Sequence, residues 1–227
     1  MGGVSHVARL LLQRRLLLPP ANPRPGDPRR RGGRRVGHQP GWLGLAAAFP
    51  PALLAGAERG GKFDSGAIFL CAQPVVLEDE VRFYYGAYSQ GATGSDDSKL
   101  TTGIGLATLP RDRFAGLQPQ PRSDQPTLKK PLEKVGQVTL RPLDLTGVRA
   151  LELNADAAGG EVRVEVLDAA GKRLRGFSRD DAVAVTGDSL RHSVGWQQHR
   201  IGDLSAGNYM LRLHLSNATA YALTMRK

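Results

Sequence analysis

The chain has 227 residues, of which 41% are hydrophobic and 23% charged, enough apolar material for one or two packed domains. Its formal net charge is +10, yet residues 1–40 hold nine arginines and one acid, Asp27, and carry +8 of it, so residues 41–227 are close to neutral and no nucleic-acid partner is expected of the folded part. A single cysteine, Cys71, excludes an intrachain disulfide and a thiolate zinc site, and the lack of an apolar run of about 18 residues argues against a membrane-spanning helix and a membrane partner.

Residues 1–60 are rich in Arg, Pro, Gly, Ala and Leu, with no sustained period of 2 or 3.6. Proline blocks helix and ladder alike, so this stretch reads as a disordered or weakly helical leader. The apolar run Val7–Leu18 is interrupted by Arg9, Arg14 and Arg15, which spoils it as a signal peptide. The segment from Leu43 to Ala57 is broken by Pro50 and Pro51. Three explanations stay open: a basic arm for nucleic acid or membrane, a transit-like leader, or a non-native leader from a misplaced start or shifted frame in a GC-rich gene.

Residues 61–117 alternate apolar and polar positions between turn signals. Ala67–Leu70 and Pro74–Leu77 read as short strands, followed by a turn at Glu78-Asp79-Glu80. In Val81–Gly86, Val81, Phe83 and Tyr85 share one face while Arg82 and Tyr84 share the other. A polar loop, Ser89–Thr102, leads to a fourth strand, Gly103–Leu109, with Gly103, Gly105 and Ala107 on one face. Four strands in about 50 residues is the size of one propeller blade.

Residues 118–126 form a proline-punctuated linker. In residues 127–227 alternation recurs at Val138 and Leu140, at Leu151 and Leu153, through Val162, Val164 and Val166, through Leu211, Leu213 and Leu215, and through Tyr221, Leu223 and Met225. Such alternation buries one face and wets the other. Ala157-Ala158-Gly159-Gly160 and Asp168-Ala169-Ala170-Gly171 read as hairpin turns between strands. Seven or so short strands predict a β-sandwich, and no helix of ten or more residues is expected after residue 60.

Sequence signatures of the common catalytic classes do not occur: no phosphate loop, no G-x-S-x-G elbow, no H-E-x-x-H. None of the five histidines is paired at metal-ligand spacing, and His214, on the polar side of a strand, reads as a solvated surface residue. No metal site and no cofactor are expected. Glycoside hydrolysis needs two carboxylates flanking the scissile bond. Glu78, Asp79, Glu80, Asp96 and Asp97 read as solvated turn residues, and Asp180, Asp181 and Asp188 as loop residues at which a surface calcium site is the minor alternative. Asp64 precedes the first strand, at a position that would face the mouth of a propeller channel. It is either a cap on the turn at Gly66 or a substrate contact. Aromatic rings pack on the apolar faces of sugars. Tyr85 alternates with core positions, so Tyr88, at a strand end, is the better stacking candidate. Asn217-Ala218-Thr219 matches the glycosylation acceptor pattern, which matters only in a eukaryotic secretory setting.

The strings Lys62-Phe63-Asp64-Ser65-Gly66, Pro74-Val75-Val76, Val81–Gly86, Gly103–Leu109 and Arg111–Gly116 resemble the last blade of bacterial five-bladed β-propeller proteins similar to glycoside hydrolase families 32 and 43. Downstream, Leu153–Ala157, Val162–Asp168, Gly176–Ser178, Thr186–His192, Trp196 and Leu211–Ala218 look like their C-terminal domain. The resemblance covers roughly residues 60–227. It implies hydrolysis of glycosidic bonds by the full-length family, usually in an exported or envelope setting, with carbohydrate as the partner. It also implies that the catalytic carboxylates lie on earlier blades, which this chain does not encode. Asp64 and Tyr88 are therefore substrate-binding candidates, and no catalytic residue is assigned.

The fold expected is all-β: a disordered leader (1–60), a single partial blade (61–117), a linker (118–126) and a C-terminal β-sandwich (127–227). The function expected is that of a truncated glycoside hydrolase fragment that is not catalytic by itself. The alternative is a non-catalytic module that binds carbohydrate or supports the propeller. A lone blade leaves wet faces and unpaired edges, so residues 61–117 should either pack poorly or lean on the sandwich.

Overall fold

The structure, a computed structural model, describes residues 63–90, 100–119 and 135–227, together with the backbone of three short strands before residue 49. Those three are β1 (Val7–Leu11), β2 (Trp42–Leu43) and β3 (Leu45–Ala48). Next come β4 (Ala67–Leu70), β5 (Val75–Val76), β6 (Glu80–Tyr88), β7 (Thr102–Pro110) and β8 (Gly116–Pro119). The remainder are β9 (Val135–Thr139), β10 (Leu143–Asp144), β11 (Ala150–Asp168), β12 (Val185–Val194), β13 (Asn208–Ser216) and β14 (Thr219–Arg226). One 3₁₀ turn, Ile201–Asp203, is the only helical element among the described residues. The protein is all-β, with its strands in two sheets.

The smaller sheet is centred on β6. Strand β7 runs antiparallel along one edge from Glu80↔Pro110 to Tyr88↔Thr102, while β4 and β5 share the other edge end to end. Four strand segments thus make a sheet three strands wide. One face holds Val81, Tyr85, Ala87 and Leu109, all buried. The small residues foreseen on β7 have a steric reason. A Cβ at Gly105 would lie 2.2 Å from Tyr85 Cζ, and one at Gly103 would lie 2.7 Å from the Phe63 ring. The two glycines are the floor on which two aromatic rings lie, cross-strand partners filling what the glycine leaves open. The opposite face carries Phe69, Tyr84, Tyr88, Ile104 and Leu106, all exposed.

The larger sheet has ten strands and curls into a half-barrel. Its axis is the 19-residue strand β11. The first half of β11 pairs with β14, from Ala150↔Arg226 to Asp156↔Thr219, and on its other edge with β12. The second half pairs with β13, from Glu161↔Ser216 to Asp168↔Tyr209, and β13 pairs with β9. Alternation places Leu153, Val162, Val166, Leu211, Leu213 and Leu223 inside, each at 0% exposure. At about 1.5–3 kcal/mol per fully buried aliphatic side chain, this core dominates the stability of the molecule.

The structure corrects one expected turn. Ala157-Ala158-Gly159-Gly160 is not a hairpin but a bulged stretch inside β11, where register shifts between Ala157 and Val162. Its glycines let the β13–β14 turn press against the strand: a Cβ at Gly160 would sit 1.9 Å from the Ser216 carbonyl oxygen. Asn217, in that turn with φ +46°, donates its side-chain amide to Gly159 O at 2.5 Å. Asp168–Gly171 is a turn as expected, with Gly171 at φ +82° and Asp168 Oδ1 accepting from Ala170 N and Lys172 N.

The leader also departs from expectation where it is described. The strands β1, β2 and β3 pair with β14, β9 and β8 of the large sheet. Open sheet edges present unpaired N–H and C=O groups, and an extended segment satisfies them. The expected disorder of the rest of residues 1–60, and most of the expected linker, lie outside the described residues.

The small sheet leans on the large one through Arg111-Asp112-Arg113. Arg111 N–H donates to Asp79 O, and its guanidinium to Leu77 O. Arg113 Nε donates to Asn154 Oδ1 at 2.9 Å, its Nη2 meets Asp188 Oδ1 at 2.5 Å, and its guanidinium lies 4.7 Å from the Tyr221 ring centroid. Asn154, a buried amide in β11, completes the clamp by donating Nδ2 to Arg111 O. Arg191 of β12 ion-pairs with Glu78 and Asp79 in the β5–β6 turn.

Candidate functional site

Asp64 precedes β4 and turns inward. Its Oδ2 accepts a hydrogen bond from the Tyr85 hydroxyl at 3.0 Å. Its Oδ1 is buried and has no hydrogen-bond partner among the described residues. Tyr85 stacks on Phe63 at 6.3 Å between centroids, and burial, then the Asp64 bond, raises the pKa of its hydroxyl. Tyr88 lies three positions along β6 and so on the opposite face, where its ring meets Phe69 edge-on at 5.9 Å. The structure therefore does not bring Asp64 and Tyr88 together: one serves the packed face, the other stands on the exposed face. Ser65 helps fix this corner by donating its hydroxyl to Ser89 O at 3.0 Å.

The loop carboxylates are engaged separately. Asp181 accepts from Ser178 N–H and Oγ–H, which lowers its pKa, and the bond from Arg113 does the same to Asp188. No cluster of three His, Cys, Asp or Glu side chains suited to a metal ion occurs among the described residues. No described helix is long and apolar enough to cross a membrane.

A second constellation, which the alternating pattern hid, lies on the polar side of β9, β13 and β11. Across these strands the register aligns Gln137, His214 and Arg163 in one row and Thr139, Arg212 and Glu165 in the next. His214 was expected to be solvated, yet its side chain is only 14% exposed, and Glu165 is at 0%. The cause is the segment between β11 and β12, which folds back over this side. Arg173 bridges to Leu167 and Val166 N–H donates to Phe177 O at 3.0 Å, while the buried Trp196, just after β12, donates Nε1 to Val164 O at 2.9 Å. These bonds satisfy the edge of β11 that β12 leaves unpaired. Phe177, packed between Trp196 and His199, holds the segment down.

Beneath it, Glu165 Oε2 accepts from His214 Nε2 at 3.0 Å and from Arg212 Nη1 at 3.4 Å. Arg173 Nε approaches Glu165 Oε1 to 3.0 Å, without the alignment of a hydrogen bond. Burial first, with Arg179 and Arg212 adding to it, outweighs Glu165 and lowers the pKa of His214, so its neutral form is favoured. Next to this cluster opens a cavity of about 290 Å³, lined among others by Gln137, Arg163, Arg173, Arg179, His214 and Ser216. Arginines that line a small cavity can make polar, oriented contacts but do not supply acid–base chemistry. No single-sequence signal announces this: alternation marks a polar side but not whether a loop roofs it. No family model, no curated protein and no solved structure matches the chain.

Proposed function

We propose that this chain is part of a glycoside hydrolase-like protein, with the small sheet as one blade of a β-propeller and the large sheet as the β-sandwich domain that follows it. In this reading the chain is not catalytic alone. The observation that carries it is the open apolar side of the small sheet. Phe69, Tyr84, Tyr88, Ile104 and Leu106 stand together on it, with Ile104 at 84% exposure. A sheet meant to face water places polar residues there, whereas a blade presents such a side to the next sheet. Hydrolysis needs two carboxylates across the scissile bond. Asp64, tied to Tyr85, is not placed to provide one. The test is turnover: the purified chain, offered a panel of aryl glycosides and polysaccharides, should release no sugar above background. Measurable hydrolysis that survives purification and is lost on heating would sink the proposal.

A second reading, a non-catalytic module that binds carbohydrate or supports the propeller, is favoured by the clamp. Arg113 and Arg191 fasten the small sheet to a larger one that has a full core of its own. A glycan array separates the two versions of this reading, since retention of any glycan means binding and retention of none leaves support.

A further inference from the structure

The cavity beside His214 is unevenly supplied with hydrogen-bond donors. Arg163 is held on all three of its nitrogens: Nε and Nη2 bind the two oxygens of Glu161 at 3.0 and 3.2 Å, and Nη1 binds Ala182 O at 2.9 Å. Arg212 is tied through Nε to Thr139 and through Nη1 to Glu165. Arg179 differs. It borders the cavity, and its side chain makes no hydrogen bond or close ion pair among the described residues, although its charge acts on Glu161 and His214. The side chain of Arg173 pairs only with Glu165 among the described residues, and only through Nε, which leaves its two terminal nitrogens. The side chains of Gln137 and Ser216, on the cavity floor, also donate to nothing among the described residues. The charges do not balance either. Four guanidiniums, Arg163, Arg173, Arg179 and Arg212, stand against three carboxylates, Glu161, Glu165 and Asp180, the last acting on Arg163, an excess of one positive charge.

We propose that this cavity binds a small oxyanion, a carboxylate or a phosphate or sulfate group, held by Arg179 and Arg173 over the row formed by Gln137 and Ser216. Arg173 and Arg179 both border this recess, and guanidinium forks match the paired oxygens of such a group. The volume, at the lower end for ligand pockets, suits a single ring or less and not a polymer. Neither the blade reading nor the hydrolase reading is needed for this site, which lies wholly on the large sheet.

The test uses the full chain and four probes: inorganic phosphate, sulfate, glucuronate, and glucose as the uncharged control. Titrations followed by amide NMR should shift Gly136, Gln137 and Ser216 with at least one anion and not with glucose. Arg179→Gln should weaken that binding about tenfold or more, the loss of one charge-assisted pair, while the melting temperature stays near that of the parent. Arg149→Gln, a change on the first half of β11's approach and outside the cavity lining, should leave affinity unchanged. Response to glucuronate alone would assign the group as a sugar carboxylate, and response to phosphate or sulfate alone as an ester or free ion. Absence of shifts with all three anions at millimolar concentration, or undiminished affinity in Arg179→Gln, would overturn the proposal.

Discussion

The two sheets obey the same period of two and meet opposite fates. In the large sheet the apolar positions of β11, β13 and β14 converge on one interior, and most of them are lost to solvent entirely. In the small sheet β6 and β7 alternate just as regularly, but only one side is filled, by Val81, Tyr85, Ala87 and Leu109, while Ile104, Leu106 and Tyr84 on the other meet water. Alternation therefore fixes which residues share a side. It does not fix which side is covered, because that depends on what else packs there.

The sharpest way to break this contrast is truncation at matched chemistry. Leu213→Ala should cost about 2–5 kcal/mol by chemical denaturation, from lost burial and the cavity left behind. Ile104→Ala, at 84% exposure, should stay within about 0.5 kcal/mol. A comparable loss at both sites would mean that the small sheet is covered in solution.

The seam comes next. Arg113→Met should cost about 1–3 kcal/mol, since it leaves the buried Asn154 Oδ1 without its donor and removes the pair with Asp188. Hydrogen exchange should quicken in β6 and β7 while β11 and β13 keep their protection. Equal acceleration in both sheets would show that the clamp is not what divides them.

The smallest effect is titration. The pKa of His214 is lowered from its ordinary 6.5 on folding, so the unfolded chain binds the proton more readily. Stability should then be full above about pH 6.5 and fall as the pH drops below it. The lowered carboxylates Asp188 and Glu161 add to that fall at still lower pH. His214→Gln should flatten the first part of the melting profile between pH 7 and pH 5. A profile as steep as the parent's would assign it to other groups.

Much of the strand content was legible. Ala67–Leu70 coincides with β4, and the positions of β6 and β7 follow from alternation broken by a polar loop. The expected glycine and alanine side of β7 is real, although its purpose, a floor for Phe63 and Tyr85, needed the third dimension. Gly159-Gly160 misled because two glycines serve a close approach as readily as a turn. The pairing of leader strands with the sheet edges has no local signature, since it depends on edges formed far along the chain. The arginine cavity was illegible for the same reason. Glu165 and His214 are polar entries in alternating strands, and only the return of Gly176–Ser178 over them turns a wet side into a lined recess.

Strand β11 has one more consequence. Because a single backbone borders β12, β13 and β14, neither half of the curled sheet can let go without stripping the other of partners. The domain has no natural cutting point along this spine. A nick between Gly159 and Gly160 should abolish its order as a whole, and these sequence-distant pairings should make its assembly slow compared with that of a hairpin such as β6–β7.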